Sequence, residues 1–165
     1  MTTFMIPFRA GGKTRLGDPG LAAAMLADVV AAVHELAPEA LVVDGPGGQG
    51  KVLAGAIAVQ RGPVTILNSD LPCVTSAEIE QLTQAAPAIV AAADGTTNAI
   101  ALRDAADFTP LYGPGSAARF EAELGATRLD LPGILDDVDT WDDLERIRDR
   151  LGRNTRAYLK TLAHA

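Results

Sequence analysis

The 165-residue sequence has one cysteine, Cys73, and two histidines, His34 and His164, and aromatics make up only 4% of it. One cysteine forms no internal disulfide, so its use fits a reducing compartment, and as a small hydrophobe it is expected to be buried. With so few aromatic rings the core has to be built from small and branched aliphatics, and 48% hydrophobic residues suffice for one sizeable core. Basic residues are also scarce: Lys and Arg number 14 against 21 Asp and Glu, a net charge of −7. That balance argues against nucleic acid or an anionic membrane surface as a partner, because either requires a clustered basic face. No apolar run approaches the roughly 18 to 20 residues of a membrane span, and the N-terminus lacks the basic start and longer apolar stretch of a signal peptide. The expectation is one cytoplasmic domain over residues 1–165 acting on a small ligand.

What is present alternates. "TFMIPF" at 3–8 is a short apolar run broken by Gly11-Gly12. From Leu21 to Leu36 apolar residues recur at helical spacing, with Asp28 and Glu35 off the stripe and Pro38 after the end. A brief strand at 40–43 meets four glycines between Gly45 and Gly50, and 51–59 resumes as helix. "GPVTILNSDLP" reads as a buried strand with a polar tip at Asn68, Ser69 and Asp70. Thr75 or Ser76 is placed to cap the next helix. "AIVAAAD" and "NAIALR" read as strands, "YGPGS" as a turn with Ser116 poised as a helix cap, and "TRLDLPG" as a short strand. "ILDDVDTWDDLERIRDRL" passes from an acidic strand tip into a helix capped by Thr140, and that C-terminal helix is expected to serve as a lid or dimer contact. Such alternation predicts a three-layer α/β/α, Rossmann-like architecture with a mostly parallel sheet and ligands at the carboxyl ends of its strands.

The stretch "IPFRAGGKTRL" at 6–16 carries phosphate-binding chemistry: paired glycines, a lysine, a hydroxyl and an arginine. It is not a P-loop. Gly12-Lys13-Thr14 fits the end of that motif, but its leading glycine would fall at Pro7.

Four ordered blocks give the sequence a family likeness: "GKTRL" (12–16), "NSDLP" (68–72), the span from "DGTTNAIAL" to "YGPGS" (94–116) and "DDVDTWDDL" (136–144). Together they resemble the 2-phospho-L-lactate and phosphoenolpyruvate guanylyltransferases of coenzyme F(420) biosynthesis, within the MobA-like nucleotidyltransferases. The resemblance implies a loop binding the GTP triphosphate through Gly11, Gly12, Lys13 and Arg15, with Lys13, Arg15 and Asp70 in catalytic roles. It implies a magnesium site of Asp70, Asp137 and Asp139, and an acceptor-phosphate site of Thr97, Gly113 and Ser116. Gly47, Gly48 and Gln49 fall where relatives bind the nucleotide. There Gly50 replaces the asparagine of a Gly-Gly-x-Asn motif, and the Gln49 amide offers a donor and an acceptor in its stead. The chain is shorter than the family pattern, with the loss expected between Val43 and Gly47, where relatives carry a further strand-flanking segment, so a trimmed sheet is an expectation.

The implied reaction joins two anions, so the main obstacle is repulsion. Carboxylates holding magnesium, with cations on the departing pyrophosphate, answer it. No general base is needed, because a phosphomonoester with a second pKa of about 6 is already ionised near neutrality. Tyr112 and Trp141 are expected in core or interface roles rather than on a base. A molybdopterin or sugar-phosphate nucleotidyltransferase of the same fold is one alternative, and a noncatalytic nucleotide-binding module is another.

Overall fold

The computed structural model describes residues 1–9 and 15–164. In chain order its elements are β1 (Thr3–Pro7), α1 (Pro19–His34), β2 (Leu41–Val43), α2 (Gln49–Ile57), β3 (Val64–Leu67), α3 (Ser76–Gln84), β4 (Ala88–Ala91), β5 (Thr97–Leu102), α4 (Ser116–Leu124), β6 (Thr127–Arg128), α5 (Pro132–Leu135), α6 (Trp141–Arg146) and α7 (Arg153–Ala163). The strands form one sheet in the order β2-β1-β3-β5-β4-β6. β1 runs parallel to β2 and β3, and β4 parallel to β6, while β5 is antiparallel to both of its neighbours. The reversal follows from the turn between β4 and β5. Asp94 Oδ1 accepts from the Thr96 amide at 2.9 Å, and Gly95 adopts φ +84°, a conformation that glycine enters without a Cβ clash.

Side-chain alternation along these strands divides the interior into two layers. Phe4, Ile6, Leu67, Val90, Ala99 and Ala101 face α1, α3 and α5 through Val29, Val33, Ile79, Leu82 and Ile134. Met5, Val64, Ile66, Ile89, Ile100 and Leu102 face α2 and α4 through Leu53, Ile57, Ala117 and Phe120. Each such side chain removed from water contributes about 1.5–3 kcal/mol, which is why short strands suffice. The three-layer, mostly parallel architecture is as expected. A third cluster, Leu16, Leu21, Met25, Cys73, Val138, Leu144, Ile147 and Leu151, glues the C-terminal segment to the start of α1. Burial there pushes the Cys73 thiol up to about 11, in keeping with a structural role.

Several boundaries differ from the sequence reading, each for a local reason. Asp18-Pro19 begins α1: Asp18 Oδ1 accepts from the Leu21 amide at 3.0 Å, and proline occupies the first turn, where its missing N–H matters least. "TRLDLPG" supplies only the two residues of β6 before α5 begins, and the acidic segment after α5 joins no strand. The long C-terminal helix is two: α6 ends at Arg146, and a 3-10 turn at Arg148–Arg150 and Gly152 precede α7. α7 is no free lid. Asp28, expected off the apolar stripe of α1, lies on its buried face with Leu21 and Met25, and its carboxylate accepts from the Asn154 amide at 2.8 Å, the Thr155 amide at 3.0 Å and Asn154 Nδ2 at 3.0 Å. The two backbone amides are unsatisfied donors of a helix N-terminus, so a carboxylate replaces water there. No helix among the described residues is long and apolar enough to cross a membrane.

Candidate active site

The site lies along the carboxyl edge of the sheet, where a cavity of about 270 Å³ opens between the ends of β1, β2 and β3. Its walls are Pro7, Phe8 and Arg9 after β1, Asp44 and Gly45 after β2, Gly48 and Gln49 at the start of α2, and Asn68, Ser69 and Asp70 after β3. Gly47 and Gly48 turn the chain into α2 at φ +100° and +87°, values that L side chains rarely adopt. A Cβ on Gly47 would also lie 2.6 Å from Lys51 Cδ. Gly50 has a packing reason of its own: a Cβ there would stand 3.2 Å from the Cβ of Pro110.

Asp70, 6% exposed, follows the fully buried β3. Its carbonyl accepts from the Val138 amide at 3.0 Å, so the segment after α5 lies against the β3 tip. Val138 is fully buried and its neighbours Asp137 and Asp139 are half-buried; the alternation expected of a strand is thus present without a strand ladder. One oxygen from each of Asp70, Asp137 and Asp139 lies within 4.8 Å of the others. Asp143 supports this segment from α6: Oδ2 accepts from the Asp139 amide at 3.0 Å and the Thr140 amide at 2.9 Å, and Thr140 caps the helix in return. Burial opposes ionisation of Asp143, but these donors prevail and hold its carboxyl below the usual range.

The cationic loop is described from Arg15 onward; Gly11, Gly12 and Lys13 lie outside the described residues. Arg15 is exposed in the turn before Leu16, whose carbonyl accepts from Trp141 Nε1 at 3.2 Å. Trp141 therefore joins the foot of this loop to the chain two residues beyond Asp139. Arg9 is a cation that lines the cavity, and the sequence reading passed over it although it stands two residues after β1.

The acceptor residues of the sequence reading lie apart from the cavity wall. Thr97 and Ser116 are buried, and their hydroxyls bond to each other at 2.8 Å. Ser116 is not the cap of α4; Gly115 is, in the left-handed conformation. The Ser116 amide donates to the Gly113 carbonyl at 3.0 Å and the Ala117 amide to Gly95 at 3.1 Å, so the first amides of α4 are already engaged. Arg119 ties down the approach to Gly113, donating to the carbonyls of Pro114 at 2.6 Å and Leu111 at 2.8 Å. Tyr112 belongs to the core: its ring stands edge-on to Phe120 with centroids 5.1 Å apart.

Amide side chains connect the parts: Gln49 and Asn68, which the sequence reading named, and Asn98, to which it gave no role. Gln49 Nε2 donates to Asn68 Oδ1 at 2.8 Å, Asn68 Nδ2 to the Thr97 carbonyl at 3.1 Å, and Asn98 Nδ2 to Asp137 Oδ1 at 3.2 Å. The "N" of "NSDLP" and of "TTNAIAL" was the available signal, since an asparagine beside or inside a buried strand must find partners.

A carboxylate triad at the carboxyl edge of the sheet beside an open cavity, on a three-layer α/β/α architecture with one reversed strand, is the arrangement of a nucleotidyltransferase-type fold. Solved structures share that fold: a protein from Desulfovibrio desulfuricans G20 assigned as a nucleotide-diphospho-sugar transferase, at TM-score 0.68 and 18% identity over 97% of this chain and 94% of that one, and a nucleotidyl transferase from Methanothermobacter, at TM-score 0.60 and 16% identity over 98% and 99%. No protein-family model matches the chain. Individual relatives do. A phosphoenolpyruvate guanylyltransferase of Nocardia farcinica is 34% identical over 164 residues, covering 87% of this chain and 72% of the relative. One from Streptomyces scabiei is 32% identical over 190 residues, covering 86% and 88%, and a 2-phospho-L-lactate guanylyltransferase of Methanoregula boonei is 30% identical over 190 residues, covering 96% and 87%. The chain belongs to the phosphoenolpyruvate and 2-phospho-L-lactate guanylyltransferase family.

Proposed function

We propose that this protein is a magnesium-dependent guanylyltransferase of coenzyme F(420) biosynthesis, coupling GTP to phosphoenolpyruvate or 2-phospho-L-lactate with release of pyrophosphate. The observation that carries the reading is the meeting of Asp70, Asp137 and Asp139 at the edge of the cavity, in a chain with these relatives. Three carboxylate oxygens within 4.8 Å, one of them on a buried side chain, form the hard oxygen donor set that suits magnesium. Bound there, the ion would lower the repulsion between the reacting anions.

In the reaction a phosphate oxygen of the acceptor bonds to the α-phosphorus of GTP as the bond to the β-phosphate oxygen breaks. Arg9 at the cavity, with Lys13 and Arg15 on the loop, supplies the positive charge that accompanies the pyrophosphate as it leaves. Gly48 and Gln49 form the nucleotide side of the cavity, and the absence of a Cβ at Gly48 leaves its backbone approachable. Thr97, Gly113 and Ser116 serve the acceptor phosphate. For that the 2.8 Å hydroxyl pair has to part and turn both groups toward the anion. The buried environment strengthens such donors once they are turned.

The test is pyrophosphate release from GTP, magnesium and each acid in turn. Turnover with at least one acid is expected; none with any acid or nucleotide refutes the reading. Asp70→Asn removes one full charge from the triad and is expected to lower turnover at least 100-fold with the fold intact. Turnover within threefold of the parent would remove Asp70 from the metal site.

A further inference from the structure

Asn98 is 2% exposed, and its carboxamide is engaged on every side. Nδ2 lies 2.9 Å from the Ile134 carbonyl, 3.2 Å from the Leu135 carbonyl and 3.2 Å from Asp137 Oδ1, while Oδ1 faces Asn68 Nδ2 at 3.5 Å. The two carbonyls belong to the last turn of α5, where no intrahelical donor reaches them. They accept only, so they fix which end of the Asn98 amide points at Asp137: it is the N–H end. The backbone of Asn98 is held as firmly. It lies in β5, every residue of which is buried, and its carbonyl accepts from the Asn68 amide at 2.9 Å, two residues before Asp70.

We propose that Asn98 is a positioning residue for the Asp137 carboxylate. It closes the end of α5 and holds one Asp137 oxygen by an N–H bond, leaving the carboxylate aimed at the divalent cation shared with Asp70 and Asp139. The inference rests on the three-carboxylate reading above. It is chemically selective, because no other side chain of this size offers what the place requires. Aspartate would set a carboxylate oxygen against two carbonyls and Asp137. Leucine would take the N–H donor away from the Ile134 carbonyl, the Leu135 carbonyl and Asp137 Oδ1 alike. Outer-shell donors of this kind orient metal-binding groups and commonly change metal affinity 10–100-fold when removed.

The test is a titration of the full chain with Mn2+ alone, followed by electron paramagnetic resonance, for the parent, Asn98→Ala, Asp137→Asn and the double variant. Asn98→Ala is expected to weaken Mn2+ binding about tenfold or more in the parent background. In the Asp137→Asn background it is expected to change it less than twofold, since the group it orients has been altered. Unchanged binding, or equal losses in both backgrounds, overturns the inference and leaves the triad standing. A parent that binds no Mn2+ overturns the triad reading and this inference with it. Should Asn98→Ala fail to fold, the parent alone decides. A saturable shift of the Asn98 side-chain 15N–H2 signals with Mg2+ supports the positioning role, and signals that stay in place while Asp70 or Asp139 signals move overturn it.

Discussion

Replacing Asp28 by alanine is expected to cut the stability of the whole chain, although Asp28 lies far in sequence from the triad. Its carboxylate takes three hydrogen bonds from the start of α7, at 2.8, 3.0 and 3.0 Å, with the residue 6% exposed. Bonds to a charged acceptor are worth about 1.5–3 kcal/mol each, but they share one group and do not add. Leaving the donors of a buried, charge-assisted network unsatisfied puts the loss at about 3–5 kcal/mol. For a chain of this size each kcal/mol moves the midpoint by about 2–4 °C, so Asp28→Ala should melt roughly 6–20 °C lower. Gly152 provides an internal check. Its φ of −64° suits any residue, yet a Cβ there would lie 2.3 Å from Asp28 Cγ, and its own amide is tied to the Pro72 carbonyl at 2.6 Å, so it cannot retreat. Gly152→Ala should therefore lose about 1–3 kcal/mol by overpacking alone. In the Asp28→Ala background the obstructing carboxylate is gone, and the same change should be nearly neutral. Thermal melts of the four proteins measure the cycle. A loss under 1 kcal/mol for Asp28→Ala, or strictly additive losses for the pair, refutes the account of how α7 is held.

The remaining predictions use the same physics. Thr97→Val leaves the fully buried Ser116 hydroxyl without its partner and should lose about 1–3 kcal/mol, whereas Thr97→Val with Ser116→Ala removes both groups and should recover most of it in denaturant titrations. If the two hydroxyls also serve the acceptor, KM for the phosphorylated acid should stay raised in the double variant despite its recovered stability. Asp136 accepts from Arg146 at 3.0 Å and from Arg150; burial raises its pKa, but the two guanidiniums outweigh burial and hold it below the ordinary value. A lowered folded-state pKa stabilises the fold above the unfolded value near 4, and that stability is lost as pH falls through the folded value. Asp136→Asn should therefore be less stable at neutral pH and show a shallower acid limb in pH-dependent melts.

Much of this site was legible because its chemistry is concentrated in strings whose residue types have few other uses. A fully buried strand followed by "NSDLP" puts an acid where the sheet stops, and "DDVDT" places a buried Val138 between two acids, so both acids turn the same way whether or not a ladder forms. The four-residue helix α5 was not legible. "PGIL" carries too few positions for a period, and its carbonyls depend on Asn98, 36 and 37 residues away. Asp28 was misread for a related reason: periodicity records where apolar residues fall and cannot show that the donors of a later helix will cover an acid. Ser116 looked like a cap because serine often is one; the left-handed Gly115 took that position and left the hydroxyl to Thr97.

The direction of β5 explains why these distant strings meet. In a fully parallel sheet a strand beside β3 would bring its C-terminal end to the ligand edge, and "NAIAL" would present Leu102 there. The tight turn at Asp94-Gly95 reverses β5, pairing Leu67 with Ala99 and Val64 with Leu102, so Thr97 and Asn98 arrive beside the tip of β3 instead. Polar side chains at the start of one strand thus reach the acids at the end of another. The Asn98 amide then draws in the end of α5, and the Val138 amide docks on the Asp70 carbonyl. Each step uses a backbone or amide group that burial would otherwise leave unsatisfied. The convergence of the three carboxylates, repulsive in itself, is supported by hydrogen bonds of the surrounding chain. The polar groups that make this edge of the sheet reactive are, for the same reason, the groups that fold it.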